Sequence, residues 1–199
     1  MKKVLIAAFV FAACLSCENP VTKKIKETKE NVSNTTKAVK ELNKMQDDIE
    51  DLQKQEPLTN EELKAWLPES IDGMKRTSYK AGETSFVSIA SVSATYANED
   101  KSRQFKVEVI DGAGQFGAAA TAGMRMLMSQ DFEEEDENQI RKTVKKNGVK
   151  AVEEYQKNNN RSSIEFMQGN RFYIKATGIN MNIDDTWDAI DDLNTKDLE

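Results

Sequence analysis

The most enzyme-like signal in the chain is Gly112-Ala113-Gly114-Gln115-Phe116-Gly117, a G-x-G-x-x-G turn that follows a strand pattern and opens a helical one. Backbone N–H groups at such a helix start can hold a pyrophosphate, and the glycines let it come close. That fingerprint belongs to a parallel βαβ unit, with an acid about 20 residues on at the end of a second strand. Here Glu135 to Glu137 fall in a polar run and the neighbouring segments read as antiparallel hairpins. The glycines are therefore expected to be a turn, and no cofactor is expected. A second signal, Asn180, Asn182, Asp184, Asp188 and Asp191, mimics the ligand spacing of an EF-hand loop. Asp185 stands where the loop needs glycine, and Trp187 and Ile190 favour an amphipathic helix with capping aspartates, so no metal is expected. Arg171, Tyr173 and Tyr155, placed on the outer side of the sheet, could bind a ligand, although cross-strand pairing is the commoner use of such residues.

The 199 residues contain no histidine, which removes the usual proton carrier near neutral pH and the commonest metal ligand. Ser-His-Asp and Cys-His nucleophiles and the usual zinc sites are excluded with it. Carboxylate-only catalysis, such as glycoside hydrolysis by a separated pair, stays chemically allowed and makes a carboxylate-dependent hydrolase the alternative reading, but among 34 acids no pair stands out. No catalytic residue is nominated, and the chain is expected not to be an enzyme. A formal net charge of -6, without a basic stripe, gives no reason to expect nucleic acid binding. Both cysteines, Cys14 and Cys17, lie near the N-terminus, so the remainder can hold no disulfide of its own.

Those two cysteines end a leader. Lys2 and Lys3 precede an apolar run from Val4 to Leu15, about half the roughly 20 residues of a spanning helix, which reads as a secretory signal. Cys14-Leu15-Ser16-Cys17 resembles the lipobox of bacterial lipoproteins, in which a small residue precedes the cysteine that is acylated and becomes the new N-terminus. The resemblance implies lipid attachment at Cys17 and an envelope location, with the outer membrane expected and the periplasmic or surface side left open. Cys14 occupies the position that the pattern gives to leucine, and Phe11-Ala12-Ala13-Cys14 is a second box, so both cysteines stay in play. The chain is thus divided into a signal peptide over 1–16, a lipidated N-terminus and helical tether over 17–56, and a globular α+β domain over 57–199.

In the tether, Val21, Ile25, Thr28, Val32, Thr35, Val39 and Leu42 recur at intervals of three and four, after which the stripe passes to Met45, Ile49 and Leu52. A helix of about 35 residues would reach about 50 Å from a membrane. Three uses are open to it: a solvated spacer, an oligomer-forming coil through residues 21–55, or a strap packed on the domain by Met45, Ile49 and Leu52.

The domain opens with Thr59-Asn60-Glu61-Glu62, a capping box, and a short helix ending at Pro68. Strands are expected near 73–80, 86–96, 105–109, 140–146, 149–156, 162–167 and 171–176, with a buried helix over 118–128 and a last helix from about Asn182 whose stripe is Ile183, Trp187, Ile190 and Leu193. Asn147-Gly148, Asn158-Asn159-Asn160 and Gly169-Asn170 are hairpin turns, and Asp131 to Glu137 reads as a solvated loop. Ile164, Phe166, Phe172 and Ile174 should face the core, with Arg161, Glu165, Arg171 and Lys175 toward solvent. The small residues of the strand ending at Tyr96 should lie under the Ala118 helix. The fold expected is α+β, an antiparallel sheet of about seven strands with helices packed on one face, preceded by the long tether helix.

Leu67-Pro68, Gly73-Met74-Lys75-Arg76-Thr77, Ile110-Asp111-Gly112, Gly148-Val149-Lys150-Ala151 with Tyr155, Gly169-Asn170-Arg171-Phe172 and Gly178-Ile179 with a closing helix resemble a family of uncharacterised bacterial lipoproteins and periplasmic proteins over roughly residues 60 to 195. The layout is also similar to the Mog1/PsbP-type α/β/α sandwich. The resemblance implies an envelope location and a fold, and brings no activity or site residue. A membrane through the lipid anchor, together with a partner protein or small ligand, completes the expected set of partners.

Overall fold

The computed structural model describes residues 39–82 and 89–198; Cys14, Cys17, the leader, the tether up to residue 38 and the start of the strand expected from Phe86 lie outside them. A compact unit runs from Lys44 to Glu199. Helix α1, described over 39–53, contributes its last turns to this unit: Leu52 is buried and Asp48 accepts a hydrogen bond from Asn170 Nδ2 at 3.1 Å.

After α1 the order is α2 (Asn60–Trp66), β1 (Ser70–Ile71), β2 (Met74–Ala81), β3 (Ser91–Ala97), β4 (Gln104–Asp111), α3 (Gly114–Met128), β5 (Glu133–Glu135), β6 (Gln139–Lys146), β7 (Val149–Gln156), β8 (Arg161–Gln168), β9 (Phe172–Ile179), α4 (Ile183–Asp191) and a 3-10 turn over Thr195–Leu198. The nine strands form one sheet, β1-β2-β3-β4-β9-β8-β7-β6-β5, with every pairing antiparallel. Two meanders, β1 to β4 and β5 to β9, meet where their last strands pair. The α+β class and the antiparallel sheet agree with the sequence. The count of about seven strands does not, because β1 and β5 are edge strands of two and three residues, too short to show an alternating period. Glu133–Glu135, expected as loop, is thus a strand, though all three residues are solvated.

Alternation decides the faces. Phe105, Val107 and Val109 on β4 are fully buried, and across the sheet they pair with Gly178, Ala176 and Ile174 of β9 and with Tyr96, Ala94 and Val92 of β3. Ile164, Phe166, Phe172 and Ile174 continue this row, as expected. Helices α2 and α4 cover it with Leu63, Trp187, Ala189 and Ile190. Both helices start on capping boxes, Thr59 with Glu62 and Asn182 with Asp185. Asn147 and Gly148 both have positive φ, as a two-residue hairpin loop needs, and Gly169 and Asn170 share that conformation.

Helix α3 departs from the expectation twice. It lies against β4, β7 and β8, while the small residues of β3 lie under α2 instead. It also carries the chain to the other face: beyond it, Asp131 meets Lys150 Nζ at 2.6 Å and the Phe132 ring lies 5.0 Å from the Arg141 guanidinium. Lys150 and Arg141 sit in the opposite register, with Val152, which is only 2% exposed. The helices are therefore not confined to one face. A sheet this wide has two faces to shield, and the connection from β4 to the far edge strand β5 has to cross it.

Candidate functional site

Two places collect polar side chains. The first is the glycine turn between β4 and α3. The alternation that buries Phe105, Val107 and Val109 also points Asp111 inward, where it is fully buried. Its carboxylate accepts four hydrogen bonds: from Leu58 N at 2.8 Å, Ala113 N at 2.9 Å, and Arg171 Nε and Nη2 at 2.7 Å each. Arg171 also donates to the Glu56 carbonyl at 3.0 Å and accepts from Gly112 N through its own carbonyl at 2.9 Å. The hydrogen bonds to Asp111 hold the Arg171 guanidinium above its ordinary pKa, against the opposing effect of burial.

The Gly112 and Ala113 N–H groups already have acceptors within the chain. A Cβ at Gly112 would come within 2.6 Å of the Arg171 carbonyl oxygen and 2.9 Å of Thr121 Oγ1, and one at Gly117 would run into the Asp111 carbonyl oxygen. The glycines serve the packing of α3 on the end of β4, as the turn reading expects, and the anion at the turn is the protein's own Asp111. Arg171, expected toward solvent, is tied to it. Nearby, Arg125 is 8% exposed; it donates to the Asn170 carbonyl and, at 3.3 Å, to Thr121 Oγ1, and burial lowers its pKa. A groove of about 430 Å³ adjoins this cluster, lined in part by Asp48, Asp51, Asn170 and Arg171.

The second place is the inner face of β6 and β7 beside α4. Glu153 is buried there and accepts from Trp187 Nε1 at 2.7 Å. Lys146 lies over the Trp187 ring at 5.2 Å and reaches Asp184 at 3.7 Å. On one side of this lysine is a hollow of about 480 Å³ lined by Ile140, Lys142, Val144, Tyr155 and Ile183; on the other is one of about 660 Å³ between Val149, Phe166, Ile190 and Lys196. On this face of β6, Ile140, Lys142, Val144 and Lys146 stay half-exposed.

The remaining sequence signals are dispersed. Asn182 caps α4, Asp184 faces Lys146 and Asp191 accepts from Asn147 Nδ2 at 3.1 Å, so the residues that mimic a calcium loop belong to a helix and its cap. Among the described residues no group of three or more acidic or thiol side chains is gathered as a metal site. Tyr173 lies on the outer register and donates to Glu165 at 3.0 Å, while Tyr155 lies on the inner register and donates to Asn160 at 2.9 Å. The expected grouping of Arg171, Tyr173 and Tyr155 on one face is therefore wrong, because Tyr155 shares the parity of Ala151 and Glu153. Sequence reasoning missed Asp111 and Glu153. Each stands in an inward position of a strand whose neighbours two residues away are apolar, and that parity is the signal that could have found them.

Comparison with known proteins adds little. The chain matches no family model and no curated protein sequence. A GTP-binding regulator from Thermotoga maritima aligns over 61% of this chain and 76% of its own, at 12% identity and a TM-score of 0.27, a likeness too slight to carry an argument.

Proposed function

We propose that the chain is a membrane-anchored lipoprotein of the bacterial envelope, acylated at Cys17, whose α+β domain has a non-catalytic binding or structural role. Anchoring rests on the short apolar leader that ends in Ser16-Cys17. The observation that carries the non-catalytic reading is Asp111: among the described residues it is the one fully buried carboxylate, and it is engaged by an arginine and two backbone N–H groups. Glu62, Asp100 and Asp136 have their pKa lowered by local hydrogen bonds in solvent, the reverse of what a general acid needs. The groove of β6, β7 and α4 is the binding face, and its half-exposed lysines and apolar side chains fit an acidic segment of a partner that also carries apolar residues.

The test is capture of the protein from its native membrane, with the wild type and with Lys142→Glu/Lys146→Glu. The expected result is detergent-phase protein with a co-purifying partner, the partner being lost from the charge-reversed variant. Partition of a Cys14→Ala/Cys17→Ala variant into detergent as fully as wild type would remove the anchor. Retention of the partner by the charge-reversed variant would remove the groove.

A further inference from the structure

Helix α3 has an unusual solvent side. Its buried arc is Gly117, Ala118, Thr121, Arg125 and Met128. The opposite arc consists of Phe116, Ala119, Ala120, Gly123 and Met126, all exposed, with Leu127 half-buried at its margin. At 3.6 residues per turn these six positions span about 120°. None is charged, although 31% of the chain is. Surface helices ordinarily turn charged residues outward, and a helix apolar all round is ordinarily covered on every side.

Gly123 lies at the middle of that arc. A Cβ added there would meet nothing within 4 Å, unlike those at Gly112 and Gly117, which would strike the chain's own atoms. Glycine inside a helix is less stable than alanine, and nothing in the monomer compensates for it at this position. Close approach of another backbone would.

We propose that this face of α3 is a homodimer interface, with α3 of a second copy lying antiparallel across Gly123. A twofold interface sets a patch against itself, so it needs a stretch free of like charges, and this arc is one. Ala119, Ala120 and Gly123 let the axes come close, while Phe116 of each copy reaches Met126 and Leu127 of the other. The ends are complementary as well. Helix α3 starts at Ala113 without a side-chain cap, and it is followed by Glu133 and Glu134, both exposed. Antiparallel crossing brings these acids toward the positive end of the other helix dipole. The same acids, and the lack of an exposed cation on the arc, argue against a negatively charged bilayer as its occupant.

The test uses the full chain in detergent, its mass followed by light scattering against dilution. Wild type is expected at twice the protein mass of one acylated chain, and Gly123→Arg at the mass of one chain with unchanged far-UV circular dichroism. Gly123→Ala cannot break the helix, and it should melt higher than wild type when dilute while its dimer dissociation constant rises about tenfold. Oxidised Gly123→Cys should yield a disulfide between two chains beyond the background of Lys64→Cys. A wild-type monomer at every concentration, a dimer indifferent to Gly123→Arg, or a Gly123→Cys disulfide no more abundant than that of Lys64→Cys would each overturn the proposal.

Discussion

Helices α3 and α4 both follow an inner strand, yet they begin in opposite ways. At α4 the cap is local: Asp185 N donates to Asn182 Oδ1 at 2.9 Å and Asp185 Oδ2 accepts from Asn182 N, with two residues between the partners. At α3 the N-cap Ala113 offers no side chain, and the start is held by Asp111, which also takes the guanidinium of Arg171 and the N–H of Leu58 from other parts of the chain. A local cap stabilises one helix. A shared carboxylate joins the segment after α1, the end of β4 and the β8–β9 turn, so its failure should loosen all three together.

The largest effect should follow from splitting that pair. Arg171→Met leaves the Asp111 carboxylate fully buried with two of its four donors gone, and removing one partner of a buried ion pair costs about 3–5 kcal/mol. The joint variant Asp111→Leu/Arg171→Met should recover much of that loss in urea unfolding, because two buried charges are then absent together. Equal destabilisation by the single and joint variants would mean that Asp111 acts by itself. Next comes Gly117→Ala, whose Cβ is directed at the Asp111 backbone. Overpacking of this kind costs about 1–3 kcal/mol, measurable as a lower urea midpoint at unchanged slope.

The same contrast explains what could be read in the residues beforehand. The α2 capping box, the helix start at Asn182, the hairpin turns and the inward row of Ile164, Phe166, Phe172 and Ile174 depend on local spacings, and all were legible, whereas the pairing of Asn182 with Asp185 as a second box was not drawn. The role of Asp111 was not, since its meaning comes from Arg171 and Leu58, which no local pattern connects to it. The position of α3 was misjudged for a related reason: small side chains on β3 and on the helix suit each other, but the route to β5 places α3 elsewhere. Strand β5 escaped because three glutamates carry no β propensity and owe their extended form to pairing with Ile140, Arg141 and Lys142 of β6. Cys17, on which the anchoring proposal rests, lies outside the described residues.

Smaller changes test the local side of the comparison. Asn182→Ala removes the α4 cap at a cost of about 1 kcal/mol, with the loss confined to that helix and its hydrogen-exchange protection. The least effect belongs to Glu62, the far half of the α2 box, which is fully exposed. Thr59, through its backbone N–H first and then its hydroxyl, holds the Glu62 pKa below the ordinary 4.5. A carboxyl lowered on folding contributes stability that is present above its unfolded pKa and disappears as the pH falls through the folded one. The wild type should therefore lose a small increment of stability on acidification from just above pH 4.5, one that Glu62→Gln lacks. Urea midpoints of the two proteins, compared at pH 7 and at stepwise lower pH, should converge as Glu62 takes up its proton. A gap that stays constant across that range would assign Glu62 a role independent of its charge, and the contrast between a titratable local cap and a shared buried carboxylate would then fail at its local end.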